Sequence, residues 1–186
     1  FSTTGASILT DIESLPKGLL FWRALTHWIG GMGIIVLSLA ILPLLGIGGM
    51  QLFAAESPGP TFDKIHPKVK ETAKRLWGIY VLLTFVEMAM LMLGKMPFFD
   101  AICHSFATMA TGGFSTQNAS MANYSSYIQY IVILFMILAG TNFSLHFYLL
   151  SGKASKVFKN EEFRMYIGII FFSALIIGVG LITQLG

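Results

Sequence analysis

The sequence predicts an all-α membrane protein built from repeated units of helix, pore half-helix, filter loop and helix. Three observations lead there. The 186 residues are 55% hydrophobic and only 11% charged, against about 25% charged in an average soluble domain, and the mean hydropathy is +0.73. One apolar run, Pro97 to Met109, is too brief to cross a bilayer and leads straight into Ala110-Thr111-Gly112-Gly113-Phe114-Ser115-Thr116. The opening residues, Ser2-Thr3-Thr4-Gly5-Ala6-Ser7, look like a second copy of that loop. Without gaps, Gly5 falls on Gly113, Thr3 on Thr111 and Ser7 on Ser115.

Residues 1–45 read as the end of one unit. Residues 1–18 are polar and carry Asp11, Glu13, Pro16 and Lys17. They form a filter-like loop and an exposed connection, with Leu15 biased away from helix by the proline after it. A first span then runs from about Leu19 to Leu45, longer than the ~20 residues that a ~30 Å hydrocarbon core requires. Its Gly30-Gly31-Met32-Gly33 run serves either close helix packing or a kinked point in a pore-lining helix. Arg23 lies near the outer end, where it can snorkel.

Residues 46–73 are a connection. Gly46, Gly48, Gly49, Pro58, Gly59, Pro60 and Pro67 break regular structure. Lys64, Lys68, Lys70, Lys74 and Arg75 cluster around its end, which places it in the cytoplasm, where Lys and Arg near span ends are retained.

Residues 74–150 form a complete unit. Its first helix, Lys74 to Leu93, carries Glu87. A carboxylate is costly against lipid, so Glu87 faces a protein interior or lies near the outer interface. Gly94-Lys95-Met96-Pro97 is a turn, with Pro97 suited to the first turn of a helix. Asp100 follows, where negative charge complements the helix dipole. As a helix, residues 97–109 are ~20 Å long, the length of a re-entrant half-helix. After the filter loop, a third span runs from about Tyr127 to Leu149, interrupted by Gly140-Thr141-Asn142. Residues 151–164 are a second basic loop, with Lys153, Lys156, Lys159 and Arg164. Residues 165–186 supply the first helix of a further unit, with a span from about Met165 to Thr183.

The parity closes. Both basic clusters fall on one side of the membrane and both filter-like loops on the other. Gly5 and Gly113 lie 108 residues apart, a long internal period. The chain opens on Phe1 without an initiator Met and shows no signal-peptide pattern, so it is expected to be part of a longer polypeptide.

This arrangement suits a cation. Non-helical backbone at membrane depth survives only where protein buries it or it lines a cavity. Carbonyl oxygens there replace an alkali ion's water shell. The half-helix aims its C-terminus, with roughly half a negative charge, at the loop; an anion site would use an N-terminus. Neither loop holds a carboxylate. The candidate ion-binding residues are Thr3, Thr4, Gly5, Thr111, Gly112 and Gly113, with Thr3 and Thr111 adding hydroxyl oxygens or holding the loop by local hydrogen bonds. No cofactor is expected in the chain.

Other readings fit less well. An intramembrane hydrolase has Ser7, Ser105, Ser115, His27, His104 and His146 as candidates, but there is no G-x-S-x-G elbow and no H-E-x-x-H helix. Cys103 is the lone cysteine, so it forms no intrachain disulfide and suits no metal motif. A non-conducting assembly subunit would not need two filter-like loops. Nucleic acid is disfavoured as a partner, since both basic clusters abut membrane spans.

Taken together, several segments resemble the TrkH/KtrB/HKT superfamily of potassium transporters, most closely its TrkH branch. They are Ser2-Thr3-Thr4-Gly5-Ala6-Ser7, Phe21-Trp22-Arg23, His27-Trp28-Ile29-Gly30-Gly31-Met32-Gly33-Ile34, Gly48-Gly49-Met50-Gln51-Leu52, Glu56-Ser57-Pro58-Gly59-Pro60, His104-Ser105-Phe106-Ala107-Thr108, Thr111-Gly112-Gly113-Phe114-Ser115-Thr116 and Gly140-Thr141-Asn142-Phe143. The resemblance covers nearly the whole chain. It implies potassium-channel-like units, four to a pore, with one filter glycine from each. Gly5 and Gly113 are the first two, and K+ is the transported ion. Ala6 stands where the second loop has Phe114, so the two strands are not equivalent. The resemblance also implies a bacterial inner (plasma) membrane location with several spans, a homodimer, and a cytosolic TrkA-like nucleotide-binding regulatory subunit.

Overall fold

The computed structural model describes residues 1–33 and 69–185. The later half of the expected first span and the connection from 46 to 68, with Lys64 and Lys68, lie outside the described residues. Regular structure among the described residues is entirely helical: α1 (Lys17–Trp28), α2 (Val69–Leu93), α3 (Phe98–Met109), α4 (Ser126–Ala139), α5 (Phe143–Leu150), α6 (Ala154–Phe158) and α7 (Glu161–Leu185). A wide π-helical turn, Ile29–Gly33, follows α1.

Helix α1 starts after Pro16, whose extended backbone (φ −57°, ψ 139°) sets its first residue, and buries Leu20, Ala24 and His27 along one stripe. It does not continue as a straight span. The turn after it breaks at Gly31 (φ −64°, ψ −140°), which favours the kinked reading of the glycine run. Close packing is present too, against loop backbone at Gly30 and, at Gly31, against both Ala110 and Tyr80 of the neighbouring helix α2. A Cβ on Gly30 would overlap the Phe1 carbonyl, and one on Gly31 would lie 3.0 Å from Ala110 Cα and 2.9 Å from the Tyr80 hydroxyl.

Helix α2 holds an apolar stretch long enough to cross a membrane, Lys74–Leu93, with mean hydropathy 2.0. Its buried residues Leu76, Ile79, Tyr80, Thr84, Glu87 and Leu91 recur at three- and four-residue steps, the period of one helix face. Glu87 sits on that stripe, fully buried and facing Thr108 of α3. It therefore points into the protein, not toward the outer interface.

Helix α3 is the half-helix. Pro97 caps it (φ −56°, ψ 144°) instead of entering the first turn, and Asp100 occupies that turn. At 12 residues it is about 18 Å long. It packs against α1, α2 and α4. Ala101, Cys103, His104, Ser105, Ala107, Thr108 and Met109 are all buried, so protein rather than lipid surrounds most of its circumference.

The expected third span is broken. Helix α4 has 14 residues, and α5 leaves it at 101°. The break has a local cause, since short polar side chains compete for backbone partners. Thr141 Oγ1 donates to the Leu138 carbonyl (2.7 Å) and pairs with His146 Nε2 (2.8 Å). Asn142 then caps α5, accepting from Ser144 N (3.0 Å). The basic segment 151–164 contains the short helix α6, and α7 begins inside it at Glu161. The stretch Glu161–Leu181 of α7 has mean hydropathy 2.0 and none of it is buried.

Candidate functional site

The second loop grows directly out of α3. Thr111 N donates to the Thr108 carbonyl (2.9 Å) and Gly112 N to the Ala107 carbonyl (2.8 Å). These are the two bonds of a Schellman ending, in which the residue past the cap takes left-handed backbone angles and is usually glycine. Here that residue is Thr111, at φ 52°. For a β-branched side chain this is an outlier worth about 1–2 kcal/mol of strain. Gly113 N also reaches the Ala107 carbonyl (3.4 Å), and Gly113 itself has φ 80°.

The first loop has the same angles at the matching residues. Thr3 is at φ 53° and Gly5 at φ 73°. In both loops a left-handed threonine and a left-handed glycine flank one residue that is not left-handed. The loops also touch: a Cβ on Gly5 would overlap the Gly112 carbonyl oxygen.

The six candidate residues do not have equal surroundings. Thr3 and Gly5 are half-buried and Thr4 is exposed, its hydroxyl 2.9 Å from Ser2 Oγ. Thr111 and Gly113 are exposed while Gly112 is buried. A Cβ on Gly113 would meet nothing within 4 Å, whereas one on Gly112 would run into the His27 imidazole. Gly112 is thus a packing position, and Gly113 is a conformational one open to the free side of the loop.

Three side chains outside the six candidate residues hold the loop, His27 and Arg23 from α1 and Phe114 from within it. The Phe114 ring stacks on the His27 imidazole, with centroids 3.6 Å apart and planes at 10°. Arg23 places its guanidinium carbon 3.7 Å from the same ring centroid, and its Nη1 donates to the Ser115 carbonyl (3.2 Å). Arg23 is half-buried and engaged with the loop, a contact that its place near the end of a span did not foretell. Farther on, Thr116 Oγ1 donates to Asp100 Oδ1 (2.7 Å), fastening the end of the loop to the start of α3.

Asn118 joins the segments that follow the two loops. Ile12 N donates to its Oδ1 (2.7 Å), its own N–H reaches Glu13 Oε1 (3.0 Å), and its Nδ2 donates to Asp11 Oδ1 (2.9 Å). That last bond holds the Asp11 carboxyl below its ordinary range. Nearby, burial and then the Asp100 charge push the Tyr124 hydroxyl up to about 12, so it stays protonated while accepting from Gln117 Nε2 (3.0 Å). The spacing of Arg23 and His27, four apart on one helix face, was the available signal for the α1 contacts. Asn118 gave none.

The serines and histidines considered for hydrolysis have other contacts. Ser105 Oγ donates to the Ala101 carbonyl of its own helix (2.7 Å), Ser7 Oγ accepts from Leu9 N and Ser115 Oγ from Gln117 N, and His146 serves the α4–α5 bend. Cys103 is buried and free.

The chain also resembles known proteins. The model of the TrkH family, described as a cation transport protein, matches residues 1–178. The Trk system potassium uptake protein TrkH of Escherichia coli (strain K12) is 53% identical over 173 residues, which cover 91% of this chain and 36% of that protein. The Trk system potassium uptake protein TrkG of the same organism is 40% identical over 186 residues, covering 98% and 37%. The crystal structure of the potassium transporter TrkH from Vibrio parahaemolyticus aligns with a TM-score of 0.74 at 43% identity, covering 94% of this chain and 35% of that one. The chain therefore spans little more than a third of the length of these relatives, all of them transporters by name. With its long apolar helices it is a membrane protein, and it belongs to the TrkH family of cation transport proteins.

Proposed function

We propose that this chain supplies two filter strands, Thr3-Thr4-Gly5 and Thr111-Gly112-Gly113, to a pore that takes up K+. One observation carries the reading: the matched left-handed angles at Thr3 and Gly5 and at Thr111 and Gly113. Strained backbone persists only where its surroundings over-determine it, and it gathers at ligand clamps. Left-handed angles at alternate residues turn consecutive carbonyls toward one side of an extended strand. A row of such oxygens can take the place of water around an alkali cation. The C-terminus of α3 adds a fixed partial negative charge behind the second strand, and its burial in protein keeps solvent from screening that charge.

In this reading residues 1–45 close one repeat, 74–150 form the next and 165–186 open a third, with 46–73 and 151–164 on the cytoplasmic side. The unburied face of α7 fits a helix that meets lipid and further repeats. The family resemblance supports a multi-pass protein of the bacterial inner membrane, a homodimer, and a TrkA-like nucleotide-binding regulatory subunit in the cytosol.

The test is Gly113→Ser in the full-length polypeptide, expressed in cells deficient in potassium uptake. A serine has room at this position, so it acts through the backbone, where φ 80° is strained for any L side chain. Potassium uptake should lose its preference over sodium. Unchanged uptake and unchanged preference at normal membrane levels would sink the filter assignment.

A further inference from the structure

We infer that Arg23 and His27 of α1 are positioning residues for the second filter strand, and that they set its potassium preference by clamping Phe114. The inference rests on the filter reading of Gly113 and goes beyond it, because it assigns control of one strand to a helix more than eighty residues away in sequence.

The amides of Thr111, Gly112 and Gly113 are tied back to α3. The next two residues are gripped from α1. His27 lies 3.6 Å from the Phe114 centroid and nearly parallel to it, while the Arg23 guanidinium carbon lies 3.7 Å from it. Two groups of that size at those distances would overlap on one face, so the ring sits between them. The His27 imidazole is itself buried and backed by Gly112, where even a Cβ would collide with it. Gly113 is therefore bracketed: His27 fixes the residue before it and the ring of the residue after it. Arg23 adds a hydrogen bond to the Ser115 carbonyl (3.2 Å), which takes that oxygen out of the row available to an ion.

The chemistry explains the residue types. A guanidinium is planar, stacks on an aromatic face and still has N–H groups left for a carbonyl, whereas an ammonium is a compact hydrated charge that does not stack. A cation–π contact strengthens once desolvated. The position in the fold adds reach. Just past His27 the helix gives way to the π-helical turn that breaks at Gly31, with Gly30 against the Phe1 backbone and Gly31 against Ala110. The end of α1 and the turn after it therefore reach the residues that lead into both strands. Small differences in carbonyl position decide which ion is coordinated well, so loosening the clamp should blur the choice of ion before it abolishes flux.

The experiment measures the K+/Na+ uptake ratio of the full-length polypeptide in uptake-deficient cells, at matched membrane levels. Phe114→Leu and Arg23→Lys should each lower the ratio by roughly threefold to tenfold, the span of a moderately desolvated cation–π contact. Phe114→Tyr, which keeps the ring, should retain it. The Arg23→Lys/Phe114→Leu double variant should be no worse than either single, since both remove the same contact. A merely structural clamp would reduce protein level and leave the ratio intact. Wild-type ratios in both single variants, or losses that simply add in the double, overturn the inference. If Phe114→Leu does not reach the membrane, Arg23→Lys, which keeps length and charge, decides alone. A wild-type protein with no preference for potassium would instead overturn the filter reading itself.

Discussion

Gly112 and Gly113 are neighbours, yet the structure demands glycine at each for a different reason, and substitution separates the two. In Gly112→Ala the new methyl is driven into the His27 imidazole. That ring has little freedom to retreat, because Phe114 stacks on it at 3.6 Å. Overpacking of this kind costs about 1–3 kcal/mol. In Gly113→Ala the methyl meets nothing within 4 Å, and the cost is the left-handed backbone alone, about 1–2 kcal/mol. The totals overlap, so the discriminating measurement is a pair of double-mutant cycles with His27→Ala. Denaturant titration in detergent micelles, followed by tryptophan fluorescence, reads the stabilities. With the imidazole removed, Gly112→Ala should cost close to nothing, a coupling of more than about 1 kcal/mol for residues in contact. Gly113→Ala should cost the same in both backgrounds. If His27→Ala leaves the Gly112→Ala penalty in place, the packing assignment for Gly112 is wrong. If it relieves Gly113→Ala as well, the two glycines do not have the separate roles described.

Two further outcomes follow from the same geometry. Thr111→Gly should raise stability by about 1 kcal/mol, because glycine relieves the left-handed strain at a helix ending that favours it; potassium preference should fall in the same protein, so a titration and an uptake ratio move in opposite directions. Asn118→Ala should lower the melting temperature near neutral pH by releasing Asp11, Ile12 and Glu13. The Asp11 carboxyl is held below its ordinary value by Asn118, so its part of this stabilisation is present above the unfolded carboxylate range and disappears as pH falls through and below it. Melting curves of wild type and variant should therefore draw together in acid, and a gap that widens there would contradict the assignment.

Much of the fold was legible because it depends on local pattern. The half-helix was visible from Pro97, Asp100 and the shortness of the apolar run. Glu87 was visible as a choice between two surroundings, and its place on the Tyr80–Thr84–Glu87–Leu91 face selected one. Other features were half legible. The glycine run after Trp28 offered both packing and a kink, and the structure has both. Gly140-Thr141-Asn142 marked an interruption, but not that the helix turns by 101°, because the angle depends on how Thr141 and His146 hydrogen-bond after the break. The partners of Arg23 were not legible for the same reason. Its length and position suit snorkelling, and only the arrival of Phe114 from ninety residues away gives it a better partner.

The sequence by itself determined that this is a helical membrane protein, that two threonine–glycine loops recur at one spacing, and that Gly5 and Gly113 occupy matching places. Those conclusions rest on composition, span length, charge placement and short motifs, all of which act along the chain. The tertiary structure alone decided which glycine packs and which stays open. It also decided that Asn118 joins the two segments and that α1 holds the second loop. These depend on where distant stretches meet, and a contact between Phe114 and His27 leaves no mark on the local pattern of either.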